Sequence, residues 1–335
     1  MNILALHGGG FLGFFSACML QSLDQRRRRL RSEGLLADSF DLIAGSSAGA
    51  ILAAGLAVGA TPERMVALMA DAGPRIFPRR RFLRDMPGLF RARFRPGPLR
   101  AALAPVLGCR RMGDLDRALL ITAINLTAGR VELIASYRAE FADMPLIDAV
   151  LASTAAPTLF PRHEWNGAVY TDGGLAANGP ALCAAIEAQG IFGRDIAGQG
   201  VVSIGTTHPE TPAGAAHGPL SLGVFGWLLP RPELISVTLD SQVELQGRLL
   251  ERLGPRPYLH FDRPLPAGSA AGLMRADPPA QAALRALADA EMAALTGARA
   301  EAMDRILLRP RQWRLTDAPV AGLTGAPDYR GLQAV

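Results

Sequence analysis

Two glycine-rich turns, each closing a short apolar run and opening a helical pattern, fix most of what this chain can become. The first run is Asn2-Ile3-Leu4-Ala5-Leu6, followed by His7 and then Gly8-Gly9-Gly10-Phe11-Leu12-Gly13. From Phe14 to about Leu30 the apolar residues recur at helical spacing and the end is basic. Residues 39–44, SFDLIA, read as a second strand, and Gly45-Ser46-Ser47-Ala48-Gly49 separates it from a helix over about Ala48 to Val58. Strand, turn, helix and strand in this order make a right-handed βαβ unit with parallel strands. Both turns then emerge at the carboxyl edge of the sheet, where open α/β sheets place their ligands.

Farther along, a helix starts at Pro62, and LLITAINLTAG and RVELIASY read as a hairpin turning at Ala128-Gly129. A helix from about Pro145 leads to STAAPTLFP, and GAVYTDGG is a short strand ending in a third glycine turn. GVVSIGTTH is a continuous apolar strand of the buried parallel type. Helical patterns cover about 232–253 and 279–307. No repeat or linker interrupts this order, so the expectation is one domain over 1–310, with its motifs inside 1–205, and an irregular tail over 311–335.

Composition narrows the class. Hydrophobic residues at 49% and charged residues at 19% describe a globular chain, not a disordered one. No apolar run reaches the length of about 18 residues that a spanning helix needs, and the glycines at 8–10 interrupt what would otherwise resemble a leader. Cys18, Cys109 and Cys183 are odd in number and far apart, which suits a reducing cytoplasm and three small buried side chains, with no metal spacing among them. The formal charge of +5 comes wholly from arginine, since the chain contains no lysine.

Gly45-Ser46-Ser47-Ala48-Gly49 is a G-x-S-x-G between a strand and a helix. A serine on so sharp a turn has strained backbone angles and needs small neighbours two residues away on each side, so the frame selects Ser47 over Ser46. The N–H groups of a helix beginning at Ala48 point at a developing oxyanion. His7-Gly8-Gly9-Gly10 is spelled like the oxyanion loop of esterases, but that loop follows a third strand, and here one strand precedes it. His7 is then the end of a strand and not a catalytic group, while the glycines offer bare backbone N–H groups at the edge that carries Ser47. A dinucleotide-binding reading of Gly8 to Gly13 expects an acid at the end of the second strand, and none stands there. Two residues compete to activate Ser47. His208 follows a central strand and would complete a serine–histidine–acid triad; Asp172 ends a strand at Gly173-Gly174.

Together these motifs resemble the patatin-like phospholipase family. Gly8 to Gly13 is similar to its glycine-rich oxyanion motif, Gly45 to Gly49 to its nucleophile elbow, and Asp172-Gly173-Gly174 to its aspartate turn. Ser153 to Pro161 and Asn178-Gly179-Pro180 resemble the segments that flank that aspartate. The resemblance implies a three-layer α/β fold, a central mostly parallel sheet with helices on both faces. It implies a lipid acyl hydrolase whose nucleophile Ser47 is served by Asp172 without a histidine. The oxyanion donors would come from Gly8, Gly9, Gly10 and Ala48, with Gly13, Gly45, Gly49, Gly173 and Gly174 shaping the turns. No metal and no cofactor are implied. One position departs from the family pattern: Leu12 stands where an arginine is usual. An inert, non-hydrolytic lipid- or nucleotide-binding relative is the alternative that this departure raises.

Between Arg75 and Arg100 the chain is rich in arginine, dotted with Pro, Gly and Phe, and holds a single acid, Asp85. It reads either as a solvated loop or as a docking face in which Arg79, Arg80, Arg81 and Arg84 meet lipid phosphates. The compact N-terminal half also resembles bacterial antiphage phospholipases switched on by cyclic oligonucleotides, which makes a cyclic nucleotide a candidate activator held by the same arginines. A nucleic acid is not an expected partner, because no recognition helix or basic-aromatic strand pattern is present. The expected location is the cytoplasm, with peripheral contact at the inner face of the membrane that supplies the phospholipid.

Overall fold

The computed structural model describes residues 1–31, 33–78, 91–210 and 233–313. Its elements in chain order are β1 (Asn2–Leu6), α1 (Gly13–Leu30), β2 (Leu42–Ser46), α2 (Ala48–Ala57), α3 (Pro62–Ile76), α4 (Pro96–Leu107), β3 (Ala118–Asn125) and β4 (Arg130–Ala135). There follow α5 (Leu146–Ser153), β5 (His163–Trp165), β6 (Ala168–Asp172), α6 (Gly174–Ala177), α7 (Ala181–Phe192), β7 (Gly200–Ile204) and β8 (His208–Pro209). The last are α8 (Glu233–Leu253), β9 (Tyr258–Phe261), β10 (Pro264–Leu265), α9 (Pro278–Ala293) and α10 (Gly297–Leu308).

The main sheet runs β5-β6-β3-β2-β1-β7-β9, with β4 also paired to β3. From β3 through β2, β1 and β7 to β9 every pairing is parallel. Only the β3–β4, β3–β6 and β5–β6 pairs are antiparallel. Side chains alternate across this sheet, as the pleat requires. Leu4, Leu6, Ile43 and Ile121 enter one core with α1 to α5, α9 and α10. Ile3, Ala5, Leu42 and Leu120 enter a second core with α7 and α8. The fold is thus three layers, helices on both faces of a mostly parallel sheet, as the motifs imply.

Local chemistry sets the element ends. Thr61 caps α3 by accepting the Arg64 N–H at 3.3 Å, with Pro62 at the first helical position. The second strand lies later than SFDLIA suggests, because Ser39 and Asp41 are spent on hydrogen bonds: the Asp41 carboxylate accepts the Asn2 N–H at 2.7 Å, and the Ser39 hydroxyl donates to the Leu307 carbonyl. The single helical pattern over 279–307 is two helices, broken at Gly297 with φ +54. Arg311, Gln312 and Trp313 are neither helix nor strand, yet they are docked: the Gln312 N–H donates to Asp41 at 2.6 Å and the Trp313 ring lies 5.0 Å from Phe192. Cys18 is buried, but Cys109 is exposed and Cys183 half-buried, which corrects the expectation of three buried thiols. No helix among the described residues is long and apolar enough to cross a membrane.

Candidate active site

β3 is the ruler for the site. A strand has two edges, and β4 occupies one of them from Leu120 to Asn125. The other edge is shared: β2 runs along it and ends with Ser46 opposite Thr122, and β6 comes the other way and ends with Asp172 opposite Ala123. The two strands therefore meet tip to tip. Ser47, the next residue after β2, lands beside Asp172, and its Oγ donates to Asp172 Oδ2 at 2.7 Å.

Ser47 has φ 50 and ψ −118, a conformation that serine rarely adopts and that holds its Oγ clear of the turn. The flanking glycines make this geometry sterically possible. A Cβ on Gly45 would lie 2.4 Å from the Gly49 carbonyl oxygen, and one on Gly49 would lie 2.1 Å from that of Leu6. Ser153, fully buried at the end of α5, accepts the Ser47 N–H on its Oγ at 2.8 Å. Ser153→Ala leaves that N–H without its acceptor, at a cost of about 1–3 kcal/mol. The expected outcome is a lower melting temperature and a fall in kcat of about tenfold with KM little changed. Unchanged kcat and melting together would remove Ser153 from the support of the elbow.

Asp172 is 5% exposed. Its second oxygen, Oδ1, accepts the Gly174 N–H at 2.7 Å. Burial raises its pKa from 3.8 to about 6, and the hydrogen bonds from Ser47 and Gly174 pull the other way. The carboxyl is thus held near neutrality, where a proton acceptor is most effective.

The glycine loop passes beside this pair. Gly8 does not offer a free donor as expected, since its N–H is bound to the Asn178 carbonyl at 3.0 Å. Asn178 Nδ2 and the Thr206 hydroxyl in turn donate to the Gly8 carbonyl. Phe11 donates to the Leu273 carbonyl at 2.8 Å, and Leu12 to Gly9. The N–H groups of Gly9, Gly10 and Ala48 have no acceptor among the described residues, and all three residues line the cleft at Ser47. Leu12 is half-buried against the core, so the loop is positioned by backbone bonds to Asn178 and Leu273 and not by a side chain at 12. Leu273 carries no sequence signal for this role, because the contact is between residues some 260 apart.

The cleft has a volume of about 1250 Å³, open mouth included, and its walls are apolar: Ile51, Leu68, Met69, Leu103, Phe160 and Leu273 stand beside Ser47 and Asp172. His208 is half-exposed, has its Nδ1 3.4 Å from Asp262 Oδ2, and does not line this cleft. Its pKa is raised by the bond to Asp262. His7 is buried with its Nε2 2.7 Å from Ser203 Oγ, and burial lowers its pKa to about 3, so it is neutral. Arg79, Arg80, Arg81 and Arg84 lie outside the described residues.

The model of the patatin-like phospholipase family matches residues 4–185. A cGAMP-activated phospholipase of Escherichia coli is 32% identical over 197 residues, 56% of this chain and 55% of that protein. One of Pseudomonas aeruginosa is 31% identical over 268 residues, 78% of each chain. Patatin-like protein 1 of Oryza sativa subsp. indica is 31% identical over 209 residues, 55% of this chain and 50% of that one. The chain thus spans little more than half of the length of some of these relatives. The family match takes in over half of the present sequence, including both strands that meet on β3, so the chain belongs to the patatin-like phospholipase family.

Proposed function

We propose that this protein is a lipid acyl hydrolase that cleaves the carboxylic ester of a phospholipid through a Ser47–Asp172 dyad. The observation that carries the reading is the 2.7 Å bond between Ser47 and a buried Asp172 at the head of an apolar cleft. Ser47 Oγ attacks the ester carbonyl as its proton passes to Asp172 Oδ2. The negative charge that forms on the carbonyl oxygen is received by the N–H groups of Gly9, Gly10 and Ala48, each worth about 3–4 kcal/mol in such a role. The proton on Asp172 goes to the leaving alkoxide, giving the lyso-lipid and an acyl-Ser47 ester. Water then gives a proton to Asp172 and attacks the acyl carbonyl, and Ser47 regains its hydrogen as the fatty acid leaves. The apolar walls accept the acyl chain, which water would otherwise have to solvate.

The names of the bacterial relatives carry an activating ligand, cGAMP, and a cyclic nucleotide is the activator we assign to this chain, with an antiphage role for the lipid hydrolysis it releases. The place of action is the cytoplasmic face of a membrane. The test is fatty-acid release from defined phospholipids with and without cGAMP, beside labelling by a fluorophosphonate. Release together with a label on Ser47 supports the hydrolase. Absence of both in the presence of the cyclic nucleotide favours the non-hydrolytic binder.

A further inference from the structure

Most arginines near the start of the chain are already engaged. Arg26 pairs with Asp304 at 2.5 Å, Arg27 with Asp24 at 2.9 Å, and Arg28 with Asp24 at 2.7 Å and Glu63 at 3.3 Å. The segment Arg91-Ala92-Arg93-Phe94-Arg95 differs. Its burial alternates: the three arginines are exposed, Ala92 is half-buried and Phe94 is 4% exposed. None of the three has an ion pair among the described residues. The segment is fastened to the cleft itself, the Arg93 N–H donating to the Thr158 carbonyl at 2.9 Å and the Phe94 N–H to that of Leu159 at 2.7 Å. Thr158, Leu159, Phe160 and Phe77 all line the cleft. The Phe94 ring packs edge-on to Phe77 at 5.2 Å and lies 5.7 Å from Phe160, and the Arg93 guanidinium sits 5.6 Å from the Phe94 ring. A fourth exposed arginine, Arg162, follows Phe160 by two residues and has no ion pair among the described residues.

We infer that Arg91, Arg93 and Arg95 form the docking edge by which the cleft is set down on an anionic phospholipid surface. Three unpaired guanidiniums rooted in the cleft wall have the sign and the hydrogen-bonding groups for lipid phosphates. Phe94 turns inward and packs behind Phe77 and Phe160, which line the cleft, so the charged edge is coupled to the wall along which an acyl chain would enter. The inference rests on the lipid-hydrolase reading but is measurable without catalysis.

The experiment is vesicle co-sedimentation of the full chain carrying Ser47→Ala, with phosphatidylcholine alone and with one third phosphatidylglycerol. Binding is expected only to the anionic vesicles and is expected to weaken as salt rises. Adding Arg91→Gln, Arg93→Gln and Arg95→Gln should weaken it about 100-fold, roughly fivefold per arginine. Adding Arg91→Lys, Arg93→Lys and Arg95→Lys instead should keep it within about threefold, because an anionic surface attracts Lys and Arg alike, at about 1 kcal/mol per charge. Equal melting temperatures of the two triple variants show that folding is not the cause. Binding by the glutamine variant equal to that of the parent overturns the inference. So does failure of the lysine variant, or displacement by a soluble cyclic nucleotide, either of which would mark a discrete anion pocket. Vesicle binding without fatty-acid release by the native protein would leave the docking edge standing and remove the hydrolase.

Discussion

Ser47→Ala is expected to lower fatty-acid release by about 10⁴-fold or more and to abolish fluorophosphonate labelling, while the protein stays folded. The reasoning starts from the geometry. Ser47 is the hydroxyl that shares a proton with Asp172, and its backbone angles aim that hydroxyl into the cleft. Alanine meets the same backbone strain as serine, so the turn gains no reason to relax. The change deletes one hydrogen bond to a buried carboxyl, which then holds its proton more readily because a bond that favoured the charged form is gone. The fold therefore loses no more than about 1.5–3 kcal/mol, the worth of a hydrogen bond to a charged group. A thermal melt and a lipid hydrolysis assay on one preparation read both effects. Release at the native rate would move the nucleophile elsewhere.

Asp172→Asn is expected to lower turnover by about 10⁴-fold, since an amide cannot take the serine proton. It is also expected to stabilise the protein at neutral pH. A carboxyl raised from 3.8 to about 6 by burial costs the folded state up to roughly 3 kcal/mol when ionised, at 1.36 kcal/mol per pH unit. The sign follows from the folded pKa lying above the unfolded one. Below about pH 4 the group is protonated in both states and the cost is absent; it grows between 4 and 6 and is complete above 6. The variant should therefore melt a few degrees above the native protein at pH 7.5, with the gap closing as the pH falls to 4. In the native protein the same group is expected to make kcat/KM rise with pH up to about 6 and level off above. A gap independent of pH would mean that Asp172 is not the group held near 6.

The pairing on β3 explains which parts of this molecule can be read from its sequence. β1, the glycine loop, α1 and the elbow are local events, each written within a few residues as an apolar run, a glycine turn or a helical period. That Ser47 and Asp172 share an edge of one strand is not local, and the spacing of the motifs alone left His208 open as a rival, which the structure places beside Asp262. β5 and β9 were not legible because HEW and YLHF are short edge strands of mixed polarity. The spending of the Gly8 N–H on Asn178, and of the Leu273 carbonyl on Phe11, joins residues distant in sequence that carry no residue-type requirement on the acceptor side. Ser153 lay inside a segment flagged by resemblance, yet only burial and the bond to the Ser47 N–H give it a task.

The tip-to-tip meeting of β2 and β6 also separates two properties that many enzymes cannot vary independently. On the proposed mechanism bond cleavage depends on β3 and the two strand ends it aligns, whereas one part of the cleft wall comes from α3 and α4, which precede β3 in the chain and supply no strand to this edge. Large side chains there can be traded for small ones at positions that supply no group to the proposed proton transfer. On that reading, acyl-chain preference is set by residues other than those that carry the chemistry. A library randomised at Leu68, Leu99 and Leu103 is the place to seek altered selectivity at undiminished turnover.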